Sequence, residues 1–104
     1  MLTGAGGALT RTPQNVAVLQ GGDAILNCST NATGVNPITW SYDLDTITYV
    51  PCTSQAAGFI ASSPDSAANC NLRALGTRQQ GISGAYSCND LPARALATVI
   101  VLGE

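Results

Sequence analysis

Few residues in this 104-residue chain could do chemistry, and the missing residue types limit what those few can do. Cys28, Cys52, Cys70 and Cys88 bring thiols; Asp43, Asp45, Asp65 and Asp90 bring carboxylates. There is no histidine, and all four basic residues are arginines. A serine or cysteine nucleophile would therefore lack its usual base. A carboxylate pair is the acid–base device that remains, but these aspartates fall on expected turns, with nothing to bury them and raise a pKa. The reading is a non-enzyme without a cofactor. Asp43-Leu44-Asp45 could offer two oxygens to calcium, yet no third oxygen-rich segment accompanies it, and a hairpin turn accounts for the triplet better. Zinc would need all four thiolates at spacings that include no Cys-x-x-Cys, so no metal site is expected. Gly4-Ala5-Gly6-Gly7 has neither the lysine nor the strand–helix setting of a phosphate loop and reads as a flexible lead-in. Covalent modification has better candidates. Asn31-Ala32-Thr33 is an acceptor sequence for N-linked glycan, and Asn27-Cys28-Ser29 also fits, although it lies mid-strand.

The bulk composition points to binding or structure. Hydrophobic residues make up 45% of the chain and charged residues 10%, against roughly 25% charge in ordinary soluble domains. Surface polarity must then come from Ser, Thr, Asn and Gln, and a long disordered tail is not expected. A net charge of −2 leaves no basic footprint, so nucleic acid and anionic membranes are poor partners. The longest apolar run, Ala95 to Leu102, is too short to span a bilayer. Any membrane link would run through segments outside this sequence. Met1-Leu2-Thr3-Gly4 reads as the start of a piece cut from a larger precursor, so the lack of a targeting signal says nothing against export. The length suits one domain, with a Gly- and Ala-rich lead over 1–8 and a folded unit over 9–104. Four cysteines allow three disulfide pairings. Paired, they place the chain in an oxidising compartment; unpaired, they would be buried thiols of a cytosolic protein.

Short β-prone runs separated by turn residues, without helical periodicity, predict an all-β protein. Leu9 to Thr12, broken by Pro13, reads as an edge strand that resumes over Val16 to Leu19. Gln20-Gly21-Gly22-Asp23 is a turn. Ala24 to Cys28 alternates, with Ala24, Leu26 and Cys28 inward; Ile38 to Tyr42 does the same with Ile38, Trp40 and Tyr42. Thr46 to Val50 is a further strand by its β-branched and aromatic content. From Pro51 to Asn69 the chain is expected to be irregular, and Asn71 to Leu75, Ala85 to Asn89 and Leu96 to Leu102 complete the set.

Cys28, Trp40, and Tyr86 with Cys88 in Gly84-Ala85-Tyr86-Ser87-Cys88 form one constellation. With Val18-Leu19-Gln20-Gly21-Gly22-Asp23, Leu26-Asn27-Cys28-Ser29, Leu72 and Ala97-Thr98-Val99-Ile100-Val101, they give the chain, from about residue 9 to residue 102, a resemblance to a variable-type immunoglobulin superfamily domain. The resemblance implies a two-sheet antiparallel sandwich with Cys28 joined to Cys88, which leaves Cys52 for Cys70. It also implies a core pin of Trp40, Tyr86, Leu26 and Leu72. The family's pattern is not followed throughout. Ile82 stands where relatives carry the aspartate of a charge pair, the last strand lacks the Phe-Gly-x-Gly of rearranging antigen receptors, and the sixty-residue cysteine spacing approaches the intermediate set. The extra cysteine pair and low charge are similar to non-rearranging variable-like domains of invertebrate or early chordate proteins.

What the resemblance implies about function is recognition by a secreted or cell-surface protein of immune or adhesive type. The last strand is apolar on both faces, and the neighbouring outward positions Thr39, Ser41, Thr46, Thr48, Ala85, Ser87 and Thr98 carry no charge. Such a face suits a protein ligand or a homodimer. The end loops, above all Asn89-Asp90-Leu91-Pro92-Ala93-Arg94, are a second candidate for recognition. The rival readings are a structural spacer in a multidomain adhesion protein and carbohydrate binding through the end loops, the latter poorly served by one core tryptophan.

Overall fold

The structure, a computed structural model, describes residues 8–31, 38–43, 47–63, 68–79, 81–90 and 93–103. Ten strands run through these segments: β1 (Leu9–Arg11), β2 (Val16–Leu19), β3 (Ala24–Thr30), β4 (Thr39–Asp43), β5 (Ile47–Pro51), β6 (Gln55–Ala56), β7 (Phe59–Ser62), β8 (Asn69–Ala74), β9 (Gly84–Asp90) and β10 (Ala93–Leu102). They form two five-stranded sheets, ordered β1-β3-β8-β7-β6 and β2-β10-β9-β4-β5. Every pairing is antiparallel except β2 with β10. The expected all-β sandwich is the architecture found. Pro13 is buried between β1 and β2, and there the chain leaves the first sheet for the second. A proline suits that position because the crossing strand has no ladder partner to lose.

Period-two alternation sets which face each strand buries. On β3, Ala24, Leu26 and Cys28 are buried, whereas Ile25 and Asn27 are exposed. The core has two halves. In one, Trp40 lies fully buried with Cys28, Cys70 and its register partner Cys88. In the other, Tyr42, Phe59 and Tyr86 pack ring against ring, with centroids 4.6 to 5.9 Å apart. The Tyr42 hydroxyl donates to the Ser83 carbonyl at 2.6 Å, and the Tyr86 hydroxyl to the Ile82 carbonyl at 2.5 Å. Burial pushes the Tyr86 hydroxyl well above the ordinary tyrosine pKa, so it stays a donor. Ile82 itself is buried, and the nearby cation serves the aromatic cluster instead of a carboxylate. Arg78 lies 4.7 Å over the Phe59 ring and 5.1 Å over the Tyr42 ring, and donates to the Ala57 and Gly81 carbonyls.

Two expectations about order are corrected. The stretch from Pro51 to Asn69 is not irregular throughout, because β6 and β7 form there. Phe59 and Ala61 give β7 an inward face, and pairing with Ala74 and Leu72 of β8 locks it. The chain between Asn89 and Arg94 is not a loop of that length, since β9 runs to Asp90 and β10 begins at Ala93.

At the β2–β3 turn, Asp23 accepts from the Gly76 amide at 2.7 Å and from Arg73 Nε at 2.8 Å. The amide and then the guanidinium hold its carboxyl below its ordinary value of 3.8. A lowered folded-state pKa stabilises the fold above the unfolded value and loses that contribution as pH falls through the folded one. Thermal melts of the native chain and of Asp23→Asn should therefore differ at neutral pH, with the gap narrowing as pH falls below 3.8 and through the lowered folded value. A constant gap across the whole range would show that the carboxylate's charge is not involved.

Candidate interaction face

The two disulfides hold the sheets in fixed relation. Cys28 of β3 is bonded to Cys88 of β9, and Cys52, just after β5, to Cys70 of β8. Cys28 and Cys70 are register partners on adjacent strands, so both bridges leave the first sheet side by side. Leu26 and Leu72 are likewise paired and buried beneath them. The indole of Trp40 has no exposed surface, and among the described residues its Nε1 has no hydrogen-bond partner.

With the inner face committed, the outer face of the β2-β10-β9-β4-β5 sheet can be read from the registers. One row runs Leu96, Ser87, Ser41, Tyr49 across β10, β9, β4 and β5. The next runs Arg94, Asn89, Thr39, Pro51, and Thr98 stands opposite Ala85 on the other side. Toward the end of β10, Ile100 and Leu102 pair with Ala17 and Leu19 of β2. Tyr49, Leu96 and Leu19 are 62%, 65% and 70% exposed, with Ile100 and Leu102 close behind. Of the large apolar side chains that stay exposed among the described residues, all but Ile25 lie on this face. Arg94 is a charged residue on it, and the register sets Asp43 of β4 in the row of Thr98 and Ala85.

The centre of the face is polar but internally satisfied. Ser41 and Ser87 share a hydrogen bond between their hydroxyls, and both are buried. Asn89 Nδ2 donates to the Thr39 carbonyl at 3.0 Å and to Ser87 Oγ at 3.1 Å. Polar groups that already bond one another lose little when water is removed, so covering this centre costs less than covering open hydroxyls.

Several expected site residues are placed differently. Thr48 pairs with Tyr42, whose ring is in the core, so Thr48 is on the inner side and Tyr49 is the outward residue. The inward Cys52 carries the signal for this phase: counting back by twos puts Val50 and Thr48 inside. Thr46 lies outside the described residues. Asp90 is not a recognition residue on a turn; it is 1% exposed, and its carboxylate accepts from the Thr30 hydroxyl. Asn89 belongs to the sheet face, and Arg94 stands beside it. Leu91 and Pro92 lie outside the described residues, as do Asp45, Asp65 and the lead over 1–7. Asp43 belongs to β4 and not to a turn. Asn31 is exposed just past β3, and its Oδ1 accepts from the Ala8 amide at 2.8 Å. Among the described residues, no group of three or more His, Cys, Asp or Glu could hold a metal ion, and no helix is long and apolar enough to cross a membrane.

No family model matches the chain, and no curated protein sequence matches it. Solved structures do. A tandem from titin superposes with a TM-score of 0.70 at 14% identity, over 90% of this chain and 32% of that one. A titin–obscurin-like 1 Ig complex gives 0.69 at 21% identity, over 95% and 96%. The Ig1 domain of mouse SynCAM 2 gives 0.65 at 23% identity, over 88% and 94%. The chain thus spans about a third of the titin tandem and nearly the whole of the other two. With strand order, registers and these superpositions in agreement, the fold is an immunoglobulin-like β-sandwich.

Proposed function

We propose that the chain is a variable-type recognition domain of a secreted or cell-surface protein of immune or adhesive type. It binds a protein through the outer face of the β2-β10-β9-β4-β5 sheet, in the first instance a second copy of itself. The observation that carries this reading is the set of exposed apolar side chains Leu19, Tyr49, Leu96, Ile100 and Leu102 on one face, with Leu96 and Tyr49 flanking a self-bonded Ser41–Ser87 pair. Interface cores are poor in charge and enriched in aromatic side chains such as Tyr49. A two-fold axis parallel to the strands would set Leu96 of one copy over Tyr49 of the other, and serine over serine, so the row is self-complementary. Export is supported by two disulfides and the absence of free cysteines. The variable-type reading is supported by β5, which extends the β10–β9–β4 sheet, while β6 pairs with β7 instead of with β5, a departure toward the intermediate set. Carbohydrate binding by aromatic stacking draws no support from the lone tryptophan, which is buried.

Sedimentation velocity from micromolar to millimolar chain tests the proposal. The native chain is expected to gain mass with concentration. Leu96→Arg and Tyr49→Arg, both at exposed positions, should each weaken association at least about tenfold, as central interface residues do, with unchanged melting temperature. A native chain that stays monomeric at millimolar concentration would sink self-association and leave the spacer reading in its place.

A further inference from the structure

The sequence holds two glycan acceptor triplets, and the structure puts Asn27 of the first on β3, in the sheet opposite the proposed docking face, and Asn31 of the second directly after that strand. Asn27 has the less promising sequence setting, because Cys28 between the acceptor and Ser29 is fully buried in a disulfide. The structure removes that objection for the acceptor itself. Asn27 is exposed between buried Leu26 and buried Cys28, and strand alternation aims it off the sheet. Beside it lies a groove of about 190 Å³ whose lining includes Arg11, Gln14 and Ile25. Ile25, 56% exposed, is the large apolar side chain left uncovered on that side.

We propose that Asn27 carries an N-linked glycan whose first sugar lies in this groove over Ile25. The inference rests on the export reading above and extends it. The docking sheet stays bare, and the opposite sheet is shielded. In the transfer, Asn27 Nδ2 forms a bond to C1 of an oligosaccharide held on a polyisoprenyl diphosphate. The C1–O bond to the diphosphate breaks, and the Nδ2 proton leaves with the diphosphate. The acceptor must be extended with the Ser29 hydroxyl open, which the folded chain does not allow: Ser29 is 8% exposed and its Oγ donates to Asn69 Oδ1 at 2.6 Å. Transfer therefore precedes folding, and chain order gives it time. Cys88 follows Cys28 by 60 residues, so at about 5–20 residues per second the disulfide partner arrives roughly 3–12 s later.

The test is expression behind a signal peptide in cultured human cells, reading glycan mass in both lysate and medium before and after peptide-N-glycosidase. The Asn31→Gln chain should keep one enzyme-removable glycan, and the Asn27→Gln/Asn31→Gln chain should carry none; both substitutions are at exposed positions. An Asn31→Gln chain bare in lysate and medium overturns the proposal. The disulfide state of the same secreted material reads the export premise separately. A bare but fully oxidised, soluble chain defeats the Asn27 glycan and leaves export standing, whereas a chain that keeps free thiols in that route defeats export as well.

Discussion

Replacing Cys28 and Cys88 together by alanine is expected to lower the folding free energy by about 4 kcal/mol, against about 3 kcal/mol for the Cys52 and Cys70 pair. Both figures follow from the loop each bond closes in the unfolded chain, with separations of 60 and 18 residues. A domain of this size has roughly 5–15 kcal/mol in total. The first loss alone thus takes from about a quarter to most of that stability, and both together, about 7 kcal/mol if additive, would unfold a domain in the lower part of the range. The two bonds are not independent, since Cys28 and Cys70 are neighbours across β3 and β8, so the paired losses should not simply add. Urea titration of the three variants measures this. If the Cys28→Ala/Cys88→Ala chain melts like the native one, the idea that this bridge holds the sheets together is wrong.

Gly76→Ala should be markedly more damaging than alanine at the other turn glycines. A Cβ there would stand 2.3 Å from the Gly21 oxygen and 2.5 Å from the Gly22 oxygen, both main chain. No rotamer relieves such a contact, so the β2–β3 turn must move away, taking with it the bond from the Gly76 amide to Asp23. Overpacking of this kind costs about 1–3 kcal/mol. Gly81→Ala is the contrasting control. Its φ of +80° is unfavourable for alanine, but nothing lies within 4 Å of the added atom, so only the left-handed backbone penalty of about 1 kcal/mol applies. Denaturation midpoints of the two variants compare steric collision directly with backbone strain. Equal losses would refute the close approach at Gly76.

The fold was legible because its signals are local and repeated. Alternation along Ala24 to Cys28 and along Ile38 to Tyr42, with glycine-rich turns between, already demands strands with one buried face. Where local signals were weak, the reading missed. Phe59 and Ile60 favour a strand, but the pair is short and surrounded by Ser, Ala and Gly; β8 supplies the partner that makes Phe59 to Ser62 a strand. The aspartate at position 90 looked like a turn residue because Pro92 follows it closely. Pairing of Ala93 with Asp90 carries β9 and β10 almost to the tip and buries the carboxylate. Tyr49 was missed as a face residue through a one-position error of phase, and in a strand such an error moves every side chain to the other side.

Composition and spacing by themselves determined that this chain makes strands with one buried face and lacks the histidine and lysine that usually arm a nucleophile, because residue type and period-two burial are properties of neighbours along the chain. Only the tertiary structure decided which apolar side chains remain in water. Leu19 reaches the proposed face through a parallel pairing with Leu102, and Tyr49 joins Leu96 in one row only across two intervening strands. A surface built from residues distant in sequence depends on register, and register is set by long-range hydrogen bonding that no single segment encodes.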